Sequence, residues 1–213
     1  MNLSGLIFWN VDTQVDFVLP EGKLYVPGAE LLQDKWERLT EIAKEKLIPV
    51  VNTADFHYDG SKELSDNPDF IKTFPAHCMA NTAGAEYVSS TNPENPVIFD
   101  WNSINVTPED FLSVNKIRNI IIRKDAFDVF VGNPYTDEIV SELAPETVIV
   151  YGVTTNVCVN DAVVGLASRV KNVFVIEDAI KELPNIPMPF DTWKQLGVKM
   201  ISLAELEEML EQN

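Results

Sequence analysis

A chain of 213 residues is long enough for one sizeable core, and with 46% hydrophobic and 23% charged residues it reads as one globular domain spanning 1–213. Its formal charge of −17 argues against non-specific binding to nucleic acid or anionic membrane, where phosphate contacts need Lys and Arg, and points to small molecules as partners. No apolar run approaches the roughly 20 residues of a membrane span, the first five residues lack the basic start of a leader, and two cysteines form no disulfide framework, so the cytoplasm is the expected compartment.

Apolar, β-rich runs recur along the chain at 6–11, 48–52, 97–99, 120–122, 148–150, 173–176 and 198–202. Helical spacing fills gaps between them: Leu32, Trp36, Leu39 and Ile42 over 31–46, then Val157, Ala162 and Leu166 over 156–169, and an amphipathic helix at 203–211 closes the chain. Strands alternating with helices predict an α/β fold on a mostly parallel sheet, buried on both faces. The exception is a segment of about 53–95, polar, aromatic and without period. It is too long for an idle connection and is expected to be functional.

Chemistry-bearing residues gather where these runs end. The first run feeds into Asp12-Thr13-Gln14-Val15-Asp16-Phe17, where a carboxylate facing the crevice of an open sheet would be partly desolvated and tuned towards a general base. Either Asp12 or Asp16 could equally cap the following turn. The second run leads to Asp55-Phe56-His57. Residues i and i+2 of an extended segment share a side, so these two converge, and His77 offers a third ligand; both of the chain's histidines lie in this one loop. Two His and one carboxylate suit Zn²⁺, Fe²⁺ or Mn²⁺. Cys78, next to His77, would face the other side of an extended backbone and is read as structural. Lys124 follows the fourth run and could hold a thiolate and a carboxylate by charge. Cys158, after the turn that ends the fifth, is either a small buried hydrophobe or a nucleophile biased towards thiolate by a helix N-terminus.

Taken together, DTQVDF at 12–17, GKLYVPGAE at 22–30, DFH at 55–57, FPAHC at 74–78, TAGAE at 82–86, RKDAFDVF at 123–130 and GVTTNVCV at 152–159 resemble the isochorismatase-like cysteine hydrolases, and most closely their nicotinamidase/pyrazinamidase branch. The resemblance implies a three-layer α/β/α sandwich around a six-stranded sheet and a triad of Asp12, Lys124 and Cys158. It implies metal ligation by Asp55, His57 and His77, a non-prolyl cis peptide between Val153 and Thr154, and an oxyanion hole made by the N–H groups of Thr154 and Cys158. Phe17 and Phe74 would be the aromatic walls around the substrate, and assembly into homo-oligomers is expected. The implied activity is metal-dependent hydrolysis of a small-molecule amide, nicotinamide foremost, through a thioester. The alternatives are a metal-free amidase of N-carbamoyl or ureido compounds, an isochorismatase, and, from another class, a non-catalytic binding protein.

Overall fold

A computed structural model describes residues 1, 3–103, 108 and 117–212. Among the described residues seven strands, β1 (Leu6–Val11), β2 (Val50–Asp55), β3 (Val97–Asp100), β4 (Asn119–Lys124), β5 (Thr147–Val153), β6 (Asn172–Lys181) and β7 (Lys199–Ile201), form one sheet in the order β3-β4-β2-β1-β5-β6-β7. Every neighbouring pair is parallel. The expected six strands are thus seven: each apolar run read from the residues is a strand, and the short seventh pairs along β6 through Phe174–Lys199 to Ile176–Ile201.

The three central strands β2, β1 and β5 are buried along their whole length, as a sheet covered on both faces requires. Short helices α1 (Val15–Val18), α3 (Val129–Gly132) and α6 (Phe190–Gln195) accompany the longer ones. Side chains alternate between faces. Phe8, Val50, Ile149, Tyr151 and Ile176 pack with α-helices α2 (Gln33–Glu45) and α7 (Leu203–Glu211), which present Trp36, Leu39, Leu206 and Leu210. Trp9, Val51, Ile122, Val150 and Val175 pack on the other side with α4 (Thr136–Leu143) and α5 (Cys158–Ala167), which bring Ile139, Val159, Val163 and Leu166. The result is a three-layer sandwich with two cores. Helix α2 starts two residues later than its periodicity suggests, because Ala29–Leu32 form a 3-10 turn; α7 occupies the expected span and opens on a capping box of Ser202 and Glu205. No described helix is long and apolar enough to cross a membrane.

The chain leaves β1 towards β2 on one side and leaves β5 towards β6 on the other, so the order reverses between β1 and β5. A crevice opens at the carboxyl ends of strands at such a reversal. Gly152 lets the two strands meet there: it pairs with Val11 at φ 120°, and a Cβ would stand 2.1 Å from the Val11 carbonyl oxygen. The long connection begins later than expected, since residues 53–55 complete β2. It then runs to β3 with a single short 3-10 turn at Ala83–Ala85.

Candidate active site

The crevice holds the residues that the sequence placed at strand ends. Asp12 follows β1, Lys124 ends β4 beside its register partner Asp55 on β2, and Cys158 is the first residue of α5 beyond β5. All four are buried. Lys124 Nζ lies 3.0 Å from Asp12 Oδ2 and 3.7 Å from Cys158 Sγ, and it also donates to Asp55 Oδ1. One ammonium therefore joins the expected triad to the expected metal-ligand set, a contact the sequence did not reveal.

Asp12 stands in the left-handed region, φ 47°, a conformation usually left to Gly or Asn, and it is fixed there by Thr53, whose Oγ1 donates to its Oδ1 at 2.6 Å. The turn-capping alternative falls to Asp16 instead. Its carboxylate accepts the N–H groups of Lys23 and Cys78 and packs so closely on Gly84 that a Cβ would stand 2.2 Å from Asp16 Oδ2. Cys78 is fully buried with its sulfur towards the Gly84 carbonyl, as a structural residue would be.

Charge sorts these groups. Burial pushes Asp12 above the ordinary carboxylate range, with Lys124 opposing and Asp55 reinforcing. Asp55 is also penalised by burial, but Lys124 and the two imidazoles outweigh it and hold the carboxylate well below its usual range. Burial likewise opposes the charge of Lys124, yet Asp12 and Asp55 keep it firmly protonated. Burial drives the Cys158 thiol well above its ordinary value despite Lys124, so it outweighs the bias towards thiolate offered by a helix N-terminus and a lysine, and a base is needed to take the proton.

The Val153–Thr154 peptide is cis, and the turn after it folds back so that the N–H groups of Val157 and Val159 both reach the Thr154 carbonyl. The N–H groups of Thr154 and Cys158 have no backbone acceptor among the described residues, and Cys158 sits in the first turn of its helix, where such donors are free.

Asp55, His57 and His77 each present a ligand atom within 4.8 Å of the other two. His57 Nε2 and His77 Nε2 stand 3.8 and 3.6 Å from Asp55 Oδ2, too far for hydrogen bonds, and His57 Nε2 is buried without a partner. The other ring nitrogens are occupied: His57 Nδ1 meets Asp125 Oδ1 at 2.8 Å, and His77 Nδ1 meets the Pro75 carbonyl at 2.8 Å. Two imidazoles anchored through Nδ1, with both Nε2 atoms turned to one carboxylate, fit a divalent transition metal. Burial works against charge on His57, but Asp55 and Asp125 prevail and raise it to about 9, so a cation would enter by displacing a proton. Asp12, Asp55 and Cys158 also cluster, but the Lys124 ammonium already lies among them.

Phe17 and Phe74 line the same chamber as Cys158, Asp55, His77 and Thr154, with ring centroids 5.4 and 6.3 Å from that of His77. The free space there is about 20 Å³. A polar cleft of about 200 Å³ between α2 and residues 89–94 contains none of the converging residues.

Three neighbours went unread in the sequence. The Gln14 side chain clamps Asp55 by accepting its N–H and donating to its carbonyl, both at 2.8 Å. Asp125 holds both His57 and Ser61. Glu63, with Oε1 on the Phe127 N–H and Oε2 buried without a partner, is raised to about 7 by burial and then by Asp55. Gln14 and Asp125 lie inside motifs already singled out, which was the only available signal.

A family model described as the Isochorismatase domain matches residues 105–204. The nicotinamidase/pyrazinamidase of Mycobacterium tuberculosis is 35% identical over 77 residues, a stretch covering 36% of this chain and 40% of that relative. Among solved structures, the pyrazinamidase of Pyrococcus horikoshii in complex with zinc superposes with a TM-score of 0.71 at 24% identity, over 93% of this chain and 99% of that one. The N-carbamoylsarcosine amidase of Thermoplasma acidophilum superposes with a TM-score of 0.69 at 19% identity, over 93% and 96%. At such identities the superpositions establish the fold.

Proposed function

We propose, for a chain that is isochorismatase-like in fold and in sequence, that it is a metal-dependent cysteine amidohydrolase acting on a small aromatic carboxamide, with nicotinamide the leading substrate. The observation that carries this reading is the Lys124 ammonium set between Asp12, Asp55 and Cys158 at the reversal of the sheet. Asp12, its pKa raised by burial, takes the proton of the neutral Cys158 thiol as sulfur attacks the amide carbon. Lys124 stabilises the charge on both partners during that transfer. The N–H groups of Thr154 and Cys158 receive the developing oxyanion. Protonated Asp12 then passes its proton to departing ammonia, and the regenerated carboxylate activates the water that cleaves the thioester.

Asp55, His57 and His77 would hold a divalent ion, Zn²⁺ foremost with Fe²⁺ or Mn²⁺ as alternatives, and it would supply a Lewis-acid anchor for a ring nitrogen. Phe17 and Phe74 face the ring, positioning the carbonyl over Cys158. The similarity to a nicotinamidase/pyrazinamidase supports the substrate class, and the likeness to an N-carbamoylsarcosine amidase supports a second reading in which a ureido group is cleaved by the same thiol.

Ammonia release across nicotinamide, pyrazinamide and N-carbamoyl amino acids, with metal content measured on chelator-free protein, separates the readings. Turnover of the pyridine and pyrazine amides with one metal per chain supports the proposal. Turnover confined to N-carbamoyl compounds by metal-free protein supports the alternative, and silence across the panel overturns both.

A further inference from the structure

The chamber around Cys158 is narrow and partly open, with about 20 Å³ free, about what one water needs. Directly outside it lies a second cavity of about 380 Å³, and the two share Leu24, Phe74 and Leu183 as a common wall. Beyond that wall the lining is Phe70, Ile71 and Ile186, with Asn185 the sole polar side chain and no charged one. In a protein of net charge −17 an uncharged concavity of this size stands out, and 380 Å³ is within the range of small-molecule sites.

Both sides of this cavity are built to stay in place. Leu183 is held from the catalytic turn itself: Asn156 donates to the carbonyls of Leu183 and Ile186 and accepts the Leu183 N–H. Phe74 is anchored by backbone bonds to Glu63 and Ser65. On the rim, Asp69 gathers the N–H groups of Ile71, Lys72 and Thr73 into a tight turn that leaves Phe70 57% and Ile71 74% exposed. Two large apolar side chains thus stand in water beside a concavity that shares three lining residues with the chamber around Cys158.

Resting on the amidase reading, we propose that this outer cavity is a substrate subsite: it receives an apolar substituent on the acyl side of the amide, so that ring-alkylated or aryl-extended carboxamides are preferred over the bare heterocycle. The reactive carboxamide enters past Leu24, Phe74 and Leu183, and its extension remains against Phe70, Ile71 and Ile186.

The test is calorimetric binding of nicotinamide and of a ring-butylated nicotinamide to the full-length Cys158→Ala protein, alone and with Ile71→Ser or Ile186→Ser added. Butylation is expected to tighten binding at least about tenfold, the scale set by added methylenes in an apolar pocket. Each serine substitution is expected to remove most of that gain while leaving nicotinamide itself unaffected. Equal or weaker binding of the butylated amide overturns the subsite, as does a serine substitution that weakens both ligands alike. So does sedimentation showing that Ile71→Ser splits an oligomer, because a second copy then covers the cavity. Ammonia release by the wild-type chain, run on the same two amides, distinguishes the two failures. A binding difference without turnover defeats the amidase reading and keeps the subsite, whereas turnover of both without a binding difference defeats the subsite alone.

Discussion

The two halves of the crevice are held by different means. Asp12, Lys124 and Cys158 hang from the ends of β1, β4 and β5, whose ladders are almost wholly buried. His57 and His77 belong to a loop, kept in place by backbone bonds between His57 and residues 78 and 80, and by Asp125 and the Pro75 carbonyl on their Nδ1 atoms. Asp55 belongs to both halves, since it ends a strand and receives the Lys124 ammonium. The strand half is therefore where chemistry and folding are inseparable, and the loop half is where ligand affinity can change without disturbing the sheet.

The sharpest way to break this division is Lys124→Met. It leaves Asp12 and Asp55 as buried carboxylates without their counter-ion, which should cost about 3–5 kcal/mol in denaturant unfolding and abolish ammonia release. If stability is unchanged, the strand half is not electrostatically locked. Next in size is Asp12→Asn, expected to lower kcat by about 10²–10⁴-fold while the fold persists. The pH profile carries the sign: Asp12 acts as the deprotonated base, burial raises its pKa, and kcat/KM should fall as pH drops through a value above the ordinary carboxylate range. An acid limb unaltered in the variant would assign the base elsewhere.

In the loop half effects should be smaller and of another kind. Asp125→Asn is expected to weaken metal retention by about 10–100-fold in chelator competition, with unfolding stability nearly unchanged and kcat recovered at saturating metal. Failure of excess metal to restore kcat would move Asp125 from positioning His57 into the reaction itself. Smallest is Phe17→Leu, which should raise KM several-fold with little change in kcat, as loss of an aromatic wall predicts.

The same division explains what the sequence made legible. Strands carry period and composition, so all seven were readable, although Val50–Asp55 and Asn172–Lys181 extend past their apolar runs because Thr53, Asp55, Asp178 and Lys181 are polar. Residues at strand ends inherit their place from the strands, which is why Asp12, Asp55, Lys124 and Cys158 could be brought to one crevice before any geometry. The contacts of Gln14, Asp125 and Glu63 join loops distant in sequence and leave no periodic trace. How far Cys158 is held towards its neutral form was not legible for a related reason. A helix N-terminus and a nearby Lys are visible in sequence, whereas full burial, which outweighs them, is a property of the packed chamber.

The most direct test of the account is ammonia release from nicotinamide by Cys158→Ala, made on protein shown by unfolding and metal content to be folded and loaded. No turnover above the uncatalysed rate, together with retained amide binding, is expected. Substantial turnover by that variant would contradict it, because the carboxamide would then be reaching water without passing through a thioester.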